Sequence, residues 1–268
     1  MARRRYAWTE KRIAKFIKEG RGTGTGADYT PWLMVSDVPS LGRSHRIFWP
    51  VTGRQHHFLS DNEYYAFLRD CFDESTVDVR EQFPLPRQNT LEIAASLGVR
   101  HPRFGGVNIV MTTDLLVTRS TSDGPKDFAY AVKPDKELRR RRVVEKLEIE
   151  RVYWERQGVA WAIILESSLR KNNVITNLEW IFDSQRDPEQ EFRNEPLIRE
   201  QLIEGLRSLR DFPLRIVCSV VDGDLNLDDG RTLCVARQML GQKVLRVDLN
   251  SRSVPDLPAS CFSIVGVT

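Results

Sequence analysis

The sequence predicts a mixed α/β sheet with flanking helices, followed by a mostly helical region. Three observations carry this. "VNIVMTTDLLVT" (107–118) and "DFAYAVKPD" (127–135) read as strands, and the turn-rich "RSTSDGPK" between them holds an Asp-Gly pair, the signature of a hairpin. "VAWAIILE" (159–166) is a continuous apolar run behind a helical segment, the pattern of an interior strand covered on both faces. Beyond about Leu165, strand patterns give way to helical ones.

The elements follow in order. Thr9 caps a first helix with Ile13, Phe16 and Ile17 on one face and Gly20 at its end. "GRGTGTGADYTP" alternates glycines, but no Gly-Lys-Ser/Thr follows, so a mobile loop is expected and not a phosphate cradle. Short strand pieces occupy 32–58. There His56 and His57 are adjacent and face opposite ways on a strand, against a shared metal. "SDNEYYAFLRDCF" (60–72) reads as a helix opened by a Ser60–Glu63 capping box. "VDVREQFPLP" is a strand that Pro84 ends, and 137–156 is a helix that Gly158 stops. That last helix links two strands of one sheet by a crossover.

The expected boundary lies at 168/169, with a first domain over 1–168 and a second over 169–268. Helical stretches near 174–183 and 196–210 precede two short helices around "DGDLNLDDG", and "QKVLRVDLNSR" alternates like a wing strand. The second domain is therefore expected to be mostly helical and winged-helix-like.

Composition narrows the class. At 41% hydrophobic and 29% charged, the 268 residues make an ordinary globular chain without a membrane-length apolar run. "MARRRYAW" is basic but has no apolar run behind it, so a cytoplasmic, nucleoid-associated location is expected. Cys71, Cys218, Cys234 and Cys261 are far apart and form no Cys-x-x-Cys pair, which points to reduced core thiols. The net charge of +3 permits DNA binding without demanding it. Its basic residues cluster in "ARRR" and in "KELRRRRVVEK" (136–146). The run Arg139, Arg140, Arg141, Arg142 is either a solvated helix face or a phosphate contact. In the second region Arg231, Arg237, Gln238 and Lys243 carry the same two readings.

The residues able to do chemistry gather around the hairpin. With the turn centred on 122 and 123, Asp114 falls opposite Ala131. Lys133 is then a diagonal neighbour on the same face. An unpaired carboxylate in "VMTTDLLV" is costly, so an Asp114–Lys133 ion pair is one reading. In the following helix Val143, Leu147, Glu150 and Trp154 share one stripe, which puts an acid on the face that packs against the sheet. Glu63, Asp114, Glu150 and Lys133, from four elements, also fit metal-assisted phosphodiester hydrolysis. Carboxylates hold Mg²⁺, and a lysine stabilises charge on the phosphate.

Eight stretches in order, "IKEGRGTGTGADYTPWL", "GRSHRI", "TGRQHH", "LSDNE", "VREQFPL", "MTTDLLV", "AVKP" and "EKLEIERVYW", resemble the TnsA family across most of residues 8–183. That family supplies the endonuclease subunit of heteromeric cut-and-paste transposases. The resemblance implies a restriction-endonuclease-like, PD-(D/E)xK core. It further implies Mg²⁺ (with Mn²⁺ as substitute) and cleavage of the strand at each 5′ transposon end. The implied partners are transposon-end DNA, a DDE-type TnsB-like transposase subunit, and an AAA+ TnsC-like ATPase regulator met by the C-terminal domain. Carried over by position, Glu63 and Asp114 are metal ligands, Lys133 is the catalytic lysine and Glu150 is an auxiliary acid.

One position departs from the family pattern. Ala131 stands where an oxygen-bearing side chain belongs, two residues before Lys133. The expected metal set is then Glu63, Asp114, the Val132 carbonyl and water. Three readings stay open: an active endonuclease, a catalytically weakened DNA- and partner-binding subunit, and an unrelated restriction enzyme.

Overall fold

The structure, a computed structural model, describes residues 7–38, 43–169, 172–183 and 195–265. The basic "ARRR" at the start of the chain lies outside the described residues. The chain divides into two compact units, Met1–Arg46 with Gln55–Arg170, and Ile47–Arg54 with Lys171–Thr268.

The first unit opens with α1 (Glu10–Lys18), where the Thr9 hydroxyl accepts from the Arg12 N–H at 3.1 Å. Ile13 and Phe16 are buried, but Ile17 is 64% exposed, so the apolar face is narrower than the sequence suggests. Next comes the glycine-rich segment. It is no free loop: Gly22 N–H donates to Thr30 O at 2.6 Å, and Gly26 N–H donates to Asp78 Oδ2 at 3.0 Å. Gly22 (φ +76°) is required here, since a Cβ would lie 2.0 Å from Pro84 Cγ.

After β1 (His45–Trp49) and β2 (Arg54–Phe58) comes α2 (Asp61–Phe72), then β3 (Thr76–Pro84) and α3 (Arg87–Ser96). The sequence reading had no helix at 87–96. Its start is marked only by Pro86 and its stop by Gly98, and just Thr90, Ile93 and Ala94 are buried. The expected strand 107–118 is broken. β4 (Arg103–Phe104) pairs with β5 (Val107–Asn108), and β6 (Thr112–Thr121) starts afresh. In the break Ile109 N–H bonds Pro102 O, and Met111 O accepts from Leu85 N–H. The first bond ties residue 109 to the 102 turn, while the second continues the β3–β6 register one pair beyond Pro84–Thr112.

β6 and β7 (Gly124–Lys133) form the expected hairpin, with Thr121 opposite Gly124 and Leu115 opposite Tyr130. α4 spans Arg141–Arg156, and residues 135–139 form a separate tighter turn. β8 (Ala160–Leu165) then pairs parallel with β7. The main sheet runs β3-β6-β7-β8, so β8 is its edge. That corrects the interior reading: Ala160 and Ala162 are exposed, and only Ile164 is buried. Leu116 and Ala129 pack with Ile93 of α3 and with Ile149, Tyr153 and Trp154 of α4. α2 packs against β3, β6 and β7.

The second unit holds α5 (Asn173–Phe182), α6 (Glu195–Ser208), α7 (Leu214–Asp224) and α8 (Arg231–Gly241) around buried Leu178, Ile181, Leu202, Val217, Val235 and Met239. Asp222 at the end of α7 accepts from Gly230 and Thr232 N–H, both at 2.8 Å, and so caps the start of α8. The expected wing shrinks to two residues. β9 (Leu245–Arg246) pairs with β10 (Ser263–Ile264), and past Arg246 the chain turns into bends. Cys71 and Cys218 are buried as expected, whereas Cys234 is partly buried and Cys261 exposed; none of the four forms a disulfide.

Candidate active site

The hairpin places the lysine on the aspartate. Lys133 Nζ donates to Asp114 Oδ2 at 2.5 Å and to the Val132 carbonyl at 3.0 Å, while Val132 N–H donates to Asp114 Oδ2 at 2.7 Å. Asp114 stands next to the last ladder pair, Leu115–Tyr130, and so aligns with Ala131. Burial lowers the Lys133 pKa, but the charges of Asp114, Glu150 and Glu63 outweigh it and the net shift is upward. Lys133 is a held ammonium, suited to meeting negative charge and not to acting as a base.

Glu63 sits in the first turn of α2. The Ser60 hydroxyl accepts from Glu63 N–H (3.3 Å) and donates to Glu63 Oε1 (2.9 Å), while Glu63 Oε2 accepts from Leu59 N–H (3.1 Å). The cap is therefore reciprocal, but the returning bond goes to Leu59, one residue before the capping Ser60. Capping leaves Glu63 available to a neighbour: Gln82 Nε2 donates to Glu63 Oε2 at 3.3 Å and approaches Asp114 Oδ1 at 3.5 Å. One amide thus spans both carboxylates. Burial first, then the charge of Asp114, raises the Glu63 pKa.

Glu150 is on the buried stripe of α4 with Leu147 and Trp154. Its Oε1 accepts from Thr113 Oγ1 (2.8 Å) and Trp161 Nε1 (3.1 Å), and Trp154 Nε1 donates to Thr113 Oγ1 (2.6 Å). Burial and the Asp114 charge push it up to about 7. Asp114, Lys133, Glu150, Lys146 and Thr112 line one cleft of about 250 Å³, and Glu63 lies outside its lining.

The sequence reading missed two members of this set. Gln82 is a buried polar residue on β3; Glu81 and Phe83 pair with Leu115 and Thr113, which brackets Gln82 opposite Asp114. Its signal was the polar residue near the end of a strand. Lys146 lines the cleft with its side chain exposed, and partial desolvation there, together with the Lys133 and Arg142 charges, lowers its pKa.

Among the described residues, no three His, Cys, Asp or Glu side chains are grouped closely enough to hold a metal. The donors that do converge are hard oxygens, two carboxylates joined by one amide. That set suits Mg²⁺, which keeps several waters and takes one or two carboxylates. The Val132 carbonyl, expected to be a ligand, is here the acceptor of the Lys133 ammonium.

The basic clusters are more tied down than the sequence implies. Arg140 pairs with Glu137 (2.8 Å), and Arg141 (3.0 Å) and Arg142 (2.9 Å) both pair with Glu145; Arg139 is exposed. Arg237 donates two hydrogen bonds to Trp180 O and lies over the Trp180 ring at 5.1 Å, which makes it a brace between α8 and α5. Gln238 is buried, a correction to its reading as surface, and Arg231 and Lys243 are partly buried. None of the described helices is long and apolar enough to cross a membrane.

Comparison with known proteins gives the family. Residues 73–166 match the family model described as TnsA-like endonuclease N terminal, and residues 171–249 match TnsA endonuclease C terminal. The Transposon Tn7 transposition protein TnsA of Escherichia coli is 40% identical over 252 residues, 93% of this chain and 90% of that protein. A sheet that sets a lysine on an aspartate, a helical second unit and similarity along nearly the whole length agree on one conclusion: this chain belongs to the TnsA endonuclease family.

Proposed function

We propose that this chain is the Mg²⁺-dependent endonuclease subunit of a cut-and-paste transposase, hydrolysing the strand at each 5′ transposon end. The observation that carries the reading is the convergence of Asp114, Lys133 and Glu63, with one Gln82 amide touching both acids. Glu63 and Asp114 would hold the cation. When bound, Mg²⁺ supplies polarisation of the phosphodiester and a lowered pKa for its water. Lys133, kept charged by its acidic neighbours, leaves the Val132 carbonyl and donates to a phosphate oxygen. That movement frees the carbonyl as a further oxygen ligand. Asp114 first, and Glu150 where it is ionised, keep Lys133 protonated, with Glu150 held in place by Thr113 and Trp161. Lys146 in the cleft and the exposed Arg139 on the turn before α4 are available for the DNA backbone.

The partners follow from the family: transposon-end DNA, a TnsB-like DDE transposase for the 3′ ends, and a TnsC-like AAA+ ATPase met by the second unit. A second reading has one specific observation in its favour. Ala131 is fully buried and offers no side-chain oxygen, so this chain would be a weakened nuclease that assembles the complex without cutting. Nicking of transposon-end DNA, with the partner transposase and Mg²⁺ present, separates the two. Cutting at the 5′ ends that disappears in Asp114→Asn supports the enzyme; full complex assembly without 5′ cutting supports the weakened subunit.

A further inference from the structure

Ala131 leaves β7 without a side-chain oxygen next to Asp114, and the side chain that does reach both acids comes from β3. We propose that Gln82 is a ligand of the divalent cation and supplies through Oε1 the oxygen that Ala131 lacks. The inference rests on the metal-site reading above.

Three features of Gln82 support it. First, its amide is placed between the acids and a hydroxyl. Nε2 faces Glu63 Oε2 (3.3 Å) and Asp114 Oδ1 (3.5 Å), and Oε1 accepts from Thr112 Oγ1 at 3.0 Å. A cation between the acids repels the amino end, so the amide turns over and presents Oε1. Thr112 tolerates either orientation, because a hydroxyl donates to the amide oxygen and accepts from the amide nitrogen equally well. An amide oxygen is a hard ligand of the kind Mg²⁺ and Mn²⁺ accept.

Second, the backbone is strained to hold it there. Gln82 has φ +48°, a conformation few non-glycine residues adopt. Its carbonyl accepts from Trp32 N–H at 3.3 Å, a residue outside the sheet. Third, Gln82 is only 3% exposed, and a buried amide needs a partner at both ends. The carboxylates and Thr112 are those partners.

The test is direct cation binding, read as free Mn²⁺ by electron paramagnetic resonance during titration of the full chain. Gln82→Asn keeps a residue that tolerates positive φ but shortens its reach. Wild type is expected to bind, Asp114→Asn to lose binding, and Gln82→Asn to bind at least tenfold more weakly. Adding Ala131→Gln to Gln82→Asn is expected to restore affinity to within threefold. Wild-type affinity in Gln82→Asn, with binding lost in Asp114→Asn, overturns this inference and leaves the metal site standing. No binding by wild type removes the metal site itself. Should Gln82→Asn melt more than about 10 °C lower, a loss of several kcal/mol for a chain this size, Gln82→Glu replaces it. That variant is expected to bind Mn²⁺ at least tenfold more tightly, and unchanged affinity overturns the proposal.

Discussion

Asp114 Oδ2 accepts two hydrogen bonds from consecutive residues, from the Val132 backbone at 2.7 Å and from the Lys133 ammonium at 2.5 Å. The carboxylate is therefore oriented by the strand and charged against by the lysine at the same atom. Separating the two partners separates their roles. Lys133→Met keeps the backbone bond and both acids, so Mn²⁺ binding should persist while 5′-strand nicking falls by at least a hundredfold. Asp114→Asn should lose both. Equal loss of Mn²⁺ binding in Lys133→Met would show the lysine to be part of the ligand scaffold instead.

Glu150 makes the cation-free protein sensitive to pH. Its folded-state pKa, about 7, lies above its ordinary value of 4.5, so the folded state holds the proton more tightly than the unfolded chain. The associated stability is complete below about pH 4.5 and is lost as pH rises through 7. Glu150→Gln removes this slope and still accepts from Thr113 and Trp161. In EDTA, its melting temperature relative to wild type should rise between pH 5 and pH 8, by up to about 3 kcal/mol of stability. A constant difference across that range would mean that Glu150 titrates at its ordinary value.

Ala131→Gln in the wild-type background adds an oxygen where Gln82 already offers one. Nicking at saturating Mg²⁺ should rise by less than tenfold, about 1.4 kcal/mol in barrier. An increase of several orders of magnitude would identify Ala131 as a disabling residue.

Arg237→Ala tests the brace against the DNA contact. Loss of the two bonds to Trp180 O and of the ring contact should cost about 1–3 kcal/mol in melting experiments. Fluorescence anisotropy with transposon-end DNA should show no change in affinity. A drop in affinity and in its salt dependence, with melting unchanged, would return Arg237 to the DNA surface.

Much of the site was legible because it follows strand periodicity. The Ser122–Asp123 turn fixes the hairpin register, and the register alone brings Asp114 and Lys133 together. Glu150 was legible as the one acid on an apolar helical stripe. Gln82 was not, because its positive φ breaks the alternation by which strand faces are assigned. β8 misled in another way. Its apolar run suggests burial on both faces, yet alanines at 160 and 162 bring little apolar area to an exposed edge. Helix α3 lacked a strong stripe, and Arg237 reads as a surface cation until Trp180 is seen beneath it.

The parallel β7–β8 pairing has a consequence for the order of assembly. Antiparallel β6 and β7 are joined by a tight turn and can form early, bringing Asp114 to Lys133 from nearby sequence. The carboxylate of Glu150 meets Thr113 of β6 when α4 packs back on the sheet, a contact between residues 37 apart against 19 for Asp114 and Lys133, and so a longer loop to close. A chain emerging from the ribosome therefore carries its acids and its lysine well before it carries a finished site. Completion of the Glu150 contacts is thus one of the later events of folding in this unit.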